Sequence, residues 1–242
     1  MQKQFDILVL SKERLCPSIE DRALGWFFAE NFSEVLPELD AEWTILVSPG
    51  IRMTRDFLNA VADICVEFPY ADAFAPRVLH AESHQVFSSG FLIDQKRGLE
   101  EEFRSNRDRE IRPIASVSPE CGIYSTRLLH ALHGFDPEFK TDIRFFDLGL
   151  RALHLGANLF ASPRIEIESV AAKQYSIPDR IRELGRVYYK DLDIIQYLKF
   201  ALRHPTALNA LFKNRKQLNA KSLAVTELSR FSKEMFEKVS TR

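Results

Sequence analysis

Apolar residues fall along the chain in runs whose period changes from element to element. Residues 5–10, FDILVL, form a continuous apolar run, as a strand buried on both faces does. EWTILVSPG repeats that pattern and stops at Pro49-Gly50, a turn pair. IASVSPECGIYS, ADAFAPRVL and NLFASPRIEIESV predict further strands. Between these runs the period lengthens. Phe57, Leu58, Val61, Ile64, Cys65 and Phe68 recur at helical spacing behind Thr54, a natural N-cap. RFFDLGLRALHLG predicts another helix, closed by Gly156, and TRLLHAL a short one. Residues 18–36 are read as a helix too, with Ser18 three residues before Asp21 as an approximate capping signal and Leu24, Phe27, Phe28 and Phe32 as its apolar face. Residues 80–93 read as a hairpin or strand pair, the charged residues 94–113 as an exposed loop, and the chain beyond about Pro178 as mostly helical.

Strand and helix alternating at these lengths predict an α/β fold with a mostly parallel sheet built from crossover units. With 242 residues, 45% of them hydrophobic, the chain can bury the core of one domain and carry an appendage. Charge locates the division. Residues 173–242 carry 15 Lys and Arg against 7 Asp and Glu, whereas residues 1–172 carry 18 against 27, so a net charge of -1 conceals two halves of opposite sign. The expected organisation is an α/β domain over 1–172 and a basic helical extension over 173–242.

No apolar run approaches the roughly 18 to 20 residues that span a bilayer, and the N-terminus meets charge too soon for a secretory signal, so a cytoplasmic location is expected. Cys16, Cys65 and Cys121 are odd in number, widely spaced and without a CxxC pair, as reduced thiols would be.

Three stretches, in order and at their spacing, resemble the family 2 glycosyltransferases of GT-A fold. WTILVSPGIRMTRDFLNAV matches the family's strand that ends in an Asp-x-Asp turn. SPECGIYSTRLLHALHGFDPEFK matches its stretch closing in Gly-Gly-Phe-Asp-Glu. FFDLGLRALHLGANL matches Glu-Asp-x-Asp-Leu followed by Arg and Gly. The resemblance covers roughly residues 5–170. It implies a GT-A-like α/β domain that moves a sugar from a nucleotide-sugar donor to a glycan or lipid-linked acceptor during polysaccharide or glycolipid synthesis. It also implies Mg²⁺ or Mn²⁺, if the family mechanism is retained, because a hard cation on carboxylate oxygens offsets the leaving diphosphate.

The residues that carry this chemistry depart from the family pattern. At the donor-turn position stand Ser48, Pro49 and Gly50, which offer one neutral hydroxyl and no carboxylate, so no metal ligand is assigned. Where the proton-accepting Glu-Asp pair belongs stand Arg144 and Phe145. Asp142, just upstream, is the substitute base, and Asp147 and Arg151 are the other polar candidates; their i,i+4 spacing also suits a plain ion pair on the helix. IEIESVAAK, at the end of the last strand, has Glu168 and Ser169 but no histidine where many family members place one. Only 47 residues precede Ser48, fewer than the family usually places before this turn, so the resemblance implies that one or two crossover units of the nucleotide-binding half are missing. By contrast, Gly134-Phe135-Asp136-Pro137 is retained as a turn.

Other constellations are weaker. His80-Ala81-Glu82 followed by Ser118-Pro119-Glu120-Cys121 lacks the Pro-Cys-x-x-Cys ligands of a zinc deaminase. The basic C-terminal helices, with Ile194, Ile195, Leu198 and Leu202 interleaved by Lys199 and Arg203, suit either packing on the domain or the inner face of an anionic membrane, or a partner transferase. Nothing has the pattern of a nucleic-acid binder. Two readings follow: a shortened transferase, or an inactive GT-A scaffold that binds a glycan, a partner or a membrane.

Overall fold

The first apolar run builds the centre of a sheet. In a computed structural model, which describes residues 4–11, 24–29, 31–94, 98–101, 110–170, 176–192, 194–205, 221 and 240–241, β1 (Phe5–Val9) is buried at every position. It pairs in parallel with β2 (Leu24–Phe28) on one side and β3 (Trp43–Val47) on the other, with Ile7 opposite Trp26 and Ile45.

Residues 24–28 are therefore a strand and not the predicted helix. Leu24, Phe27 and Phe28 fit a helical face, but a short aromatic run with Gly25 satisfies either period, and the open edge of β1 decides it. Among the described residues of this region, helical structure is limited to the single turn α1 (Phe32–Val35), capped by the Asn31 side chain, and a 3₁₀ turn (Leu36–Glu38) containing Pro37. The capping signal at Ser18 and Asp21, like Cys16, lies outside the described residues.

After β3, β4 (Ile51–Arg52) leads into α2 (Arg55–Glu67), where Thr54 Oγ1 accepts from the Phe57 N–H at 3.1 Å as its N-cap spacing predicts. β5 (Ala73–His80) is followed by β6 (Val86–Ser88), antiparallel to it, which makes the expected hairpin. β7 (Phe91–Asp94), β8 (Gly98–Glu101) and β9 (Arg112–Pro113) enter the segment read as loop: β7 and β8 pair with each other, and β9 pairs with a later strand. Residues 95–97 and 102–109 of that segment lie outside the described residues; in the described part charge does not exclude strands, because an antiparallel ribbon can keep one face in water.

β10 (Cys121–Ser125), α3 (Thr126–Ala131), α4 (Ile143–His154), β11 (Leu159–Ser169), α5 (Ile177–Asp191) and α6 (Ile194–Arg203) complete the domain, and β12 (Ser240–Thr241) adds to β7. The main sheet runs β2-β1-β3-β10-β5-β11-β4. β1, β2 and β3 are mutually parallel, as are β5 and β11, whereas β10 runs antiparallel between β3 and β5.

Alternate residues feed two cores. Ile7, Val9, Ile45 and Val47 face Phe57, Val61 and Ile64 of α2. Leu8, Leu46 and Tyr124 face Phe146, Leu150 and Leu153 of α4. Burial on both faces explains the unbroken apolar runs. α4 lies close on this second face because Gly149 allows it: a Cβ there would come within 2.5 Å of the Ala115 carbonyl oxygen. Ser116 Oγ also donates to the Phe145 carbonyl at 2.7 Å.

Candidate functional site at the C-terminal edge of the sheet

Because β1 sends one crossover to β2 on one side and the chain then returns to β3 on the other, the order reverses at β1. In open α/β sheets the crevice outside the carboxyl ends of the strands at such a point is where ligands bind. Leu10, just past β1, donates its N–H to the Val47 carbonyl at 3.0 Å, so the two strand ends stay adjacent.

A cavity of about 530 Å³ opens there, lined by Leu10, Asn31, Phe32, Phe135, Lys140 and Arg144, among others. Its wall opposite the strands is the 132–144 segment, whose shape depends on Gly134. That glycine has φ +70, and a Cβ on it would meet the Phe32 ring at 2.5 Å. Two cationic side chains, Lys140 and Arg144, line it, and Arg144 lies over the Phe135 and Phe145 rings at 4.9 and 5.4 Å. Lys221 clamps the outer part of the wall, 2.7 Å from Asp136 and 3.1 Å from Glu138. Burial works against ionisation of Asp136, but the hydrogen bond and charge of Lys221 prevail and hold its carboxyl below the ordinary value.

The donor-turn position follows Val47, whose carbonyl accepts from Leu10 of the cavity lining. Ser48 follows β3; its N–H donates to the Glu120 carbonyl at 2.8 Å and its Oγ to the Pro119 carbonyl at 2.7 Å. Gly50 adopts φ 88 and accepts from the Val170 N–H at 2.9 Å, which ties the turn to the end of β11. With its only side-chain oxygen committed to a carbonyl and no carboxylate in the turn, this turn does not fit a divalent cation. Among the described residues no group of three His, Cys, Asp or Glu side chains is placed to hold a metal ion. At the end of β11 Glu168 approaches Arg52 at 3.5 Å and His84 at 3.3 Å, so a histidine reaches this strand end from the turn after β5.

The three polar candidates separate in space. Asp142 stands at the start of α4, nearly buried, and both its oxygens are held by Arg180 of α5 at 2.8 and 2.6 Å. Asp147 and Arg151 lie together, deeper. Asp147 is 0% exposed and accepts from Arg151 Nε at 2.8 Å and from Lys190 Nζ at 2.5 Å. Arg151 reaches on to the Leu132 and Gly134 carbonyls, both at 2.8 Å, so this ion pair positions the turn that walls the cavity. Burial works against the Lys190 charge, yet Asp191 and Asp147 hold its ammonium above the ordinary lysine value.

α5 also fixes the approach to α4. Glu183 accepts from the Lys140 and Thr141 N–H groups at 2.9 and 3.0 Å and from Thr141 Oγ1 at 2.6 Å.

Sequence reasoning passes over Glu120. It precedes β10, whose antiparallel pairing sets Cys121 opposite Val47 and so places residue 120 beside Ser48. Ser118 Oγ donates a short hydrogen bond to Glu120 Oε2 and accepts from the Glu120 N–H at 3.3 Å. Among the described residues, Oε1 accepts no hydrogen bond. Burial pushes the Glu120 carboxyl above its ordinary value; the negative charge of Asp142 adds to this, while Ser118, the Glu120 N–H and Arg180 oppose it.

No protein-family model matches the chain, and no curated protein matches its sequence. Solved structures do match. GalNAc-T7, solved with UDP, GalNAc and Mn²⁺, aligns with a TM-score of 0.60 at 9% identity over 90% of this chain and 54% of its own. The mannosyltransferase PcManGT of Pyrobaculum calidifontis, with GDP-Man and Mn²⁺, gives 0.47 at 13% identity over 97% and 82%. TarS of S. aureus gives 0.47 at 15% identity over 88% and 44%. The chain thus spans about half the length of the GalNAc-T7 chain it matches. With its mostly parallel sheet, flanking helices and cavity at the strand ends, the chain has a GT-A glycosyltransferase-like fold.

Proposed function

We propose that this protein binds a nucleotide-sugar at the C-terminal edge of its sheet and transfers the sugar to a hydroxyl of a glycan or lipid-linked acceptor, as a relative of the family 2 transferases in polysaccharide or glycolipid synthesis. The observation that carries this reading is the cavity of about 530 Å³ at the switch in strand order, with Lys140 and Arg144 in its wall. A nucleoside diphosphate needs cationic neutralisation, which these side chains supply without a carboxylate-held metal at the turn, and aromatic surface for its base, which Phe32 and Phe135 supply. Asp147 and Arg151 serve the site by holding the Gly134 turn.

The test is thermal denaturation with UDP- and GDP-sugars, with and without Mn²⁺. A donor at 100 times its dissociation constant stabilises by about 2.7 kcal/mol. The expected shift is lost in Lys140→Ala/Arg144→Ala; absence of a shift with every donor removes the reading.

The loss of carboxylates at the Ser48 turn and at Phe145 favours a second reading, an inactive scaffold that binds a glycan, a partner transferase or a membrane. α6 presents Leu198 and Leu202, 51% and 83% exposed, beside Lys199 and Arg203. Among the described residues no helix is long and apolar enough to cross a membrane. Sedimentation with anionic vesicles at low salt, lost at high salt and in Leu198→Asp/Leu202→Asp, is the outcome this second reading expects if its target is a cytoplasmic membrane face. Absence of sedimentation sinks the membrane role.

A further inference from the structure

We propose that Glu120 is the proton acceptor of the transfer, held at the Ser48 turn by Ser118. The inference rests on the transferase reading above and adds a residue to it. Four observations converge on this carboxylate. It stands at the C-terminal edge of the sheet, where its own backbone carbonyl receives the Ser48 N–H at 2.8 Å. One oxygen is fixed by Ser118, and among the described residues no group donates a hydrogen bond to the other. The alternative, Asp142, has both oxygens committed to Arg180 at 2.8 and 2.6 Å. Phe145, at the position the resemblance gives to the base, is 1% exposed and has no lone pair to offer.

The step balances without a further reactant. As the acceptor oxygen attacks the anomeric carbon, its proton passes to Glu120 Oε1 and the new C–O bond forms. The bond from the anomeric carbon to the diphosphate oxygen breaks, and the nucleoside diphosphate leaves with the electron pair, its charge met by Lys140 and Arg144. A base works best when its proton affinity lies near the working pH. Burial and Asp142 raise that of Glu120, while Ser118 and Arg180 restrain it. Asp142 itself anchors Arg180 at 2.8 and 2.6 Å, and the two charges act on Glu120 in opposite directions.

The experiment measures nucleoside diphosphate release from UDP- and GDP-sugars, with water as the acceptor, across pH, alongside the donor-induced melting shift. Glu120→Gln is expected to keep the melting shift and lose release by about 100-fold or more, together with the ascending limb of the pH profile. Ser118→Ala removes a restraint and moves that limb to higher pH; Asp142→Asn removes a neighbouring negative charge and moves it to lower pH. Carbon NMR of labelled glutamate reads the same group without turnover, as a carboxyl titrating above the ordinary range that vanishes in Glu120→Gln. A Glu120→Gln protein that releases diphosphate within about threefold of wild type, with its limb intact, overturns the assignment of Glu120 alone. Wild-type protein that neither binds nor turns over any donor overturns the transferase reading and this assignment together.

Discussion

Phe145 occupies a helix position where the resemblance expects a carboxylate, and its ring packs edge-on against Phe135 with centroids 4.9 Å apart. Restoring a carboxylate there would bury a charge among apolar groups, so Phe145→Asp is expected to unfold the domain and not to repair chemistry. Asp147 has the opposite character: a charge fully buried and fully matched. Its removal leaves Lys190, itself 4% exposed, facing Asp191 alone, and Asp147→Ala should cost about 3 to 5 kcal/mol in urea denaturation. An unchanged midpoint would remove the network from the account of stability. Gly134→Ala is expected to cost roughly 1 to 3 kcal/mol, because it adds left-handed strain and a clash with Phe32. At this scale Asp142, Asp147 and Arg151 are legible in the sequence because they share a helix and a motif. Glu120 is not, because its meaning depends on Ser48, 72 residues earlier, and on an antiparallel strand between parallel ones.

Among the elements, α5 contributes most that is not apparent from its charge. Read along the chain it opens a basic extension; in space it supplies Arg180 to Asp142, Glu183 to the 140–141 backbone and Lys190 to Asp147. Two of its basic residues, Arg180 and Lys190, are partners for carboxylates of the acidic half. Glu183→Ala leaves the Lys140 and Thr141 donors without their acceptor and should cost about 1 to 3 kcal/mol, with faster exchange of the Thr141 amide proton in hydrogen-exchange measurements. Protection equal to wild type would count against this role. β2 shows the converse. Its five residues satisfy helix and strand periods alike, and only the open edge of β1 selects between them.

For the molecule as a whole, pH reports the join between α4 and α5. His154, at the end of α4, has its Nε2 2.9 Å from the Asp191 carbonyl oxygen. Burial, with the Lys190 charge, lowers its proton affinity below the ordinary value of 6.5, against the contact with Asp191. A folded value below the unfolded one means that the unfolded chain binds the proton more readily. The contribution is therefore complete above pH 6.5 and lost as pH falls through the lowered value. Melting temperatures of wild type and His154→Gln should converge between pH 7.5 and 5.5, while a constant gap would show that this imidazole does not titrate there.

By itself the sequence determined the α/β class, most strands, the α2 and α4 helices with the Thr54 cap, and the absence of a carboxylate turn at Ser48. All of these follow from side-chain period and from which atoms a residue possesses, both local properties. Only the tertiary structure decided that residues 24–28 are a strand, that Asp147 is buried and with Arg151 supports the Gly134 turn, that α5 contacts the start of α4 through Arg180 and Glu183, and that Glu120 stands beside Ser48. Each of these depends on which segments meet across the sheet, and strand order and burial are set by long-range packing that no local pattern encodes.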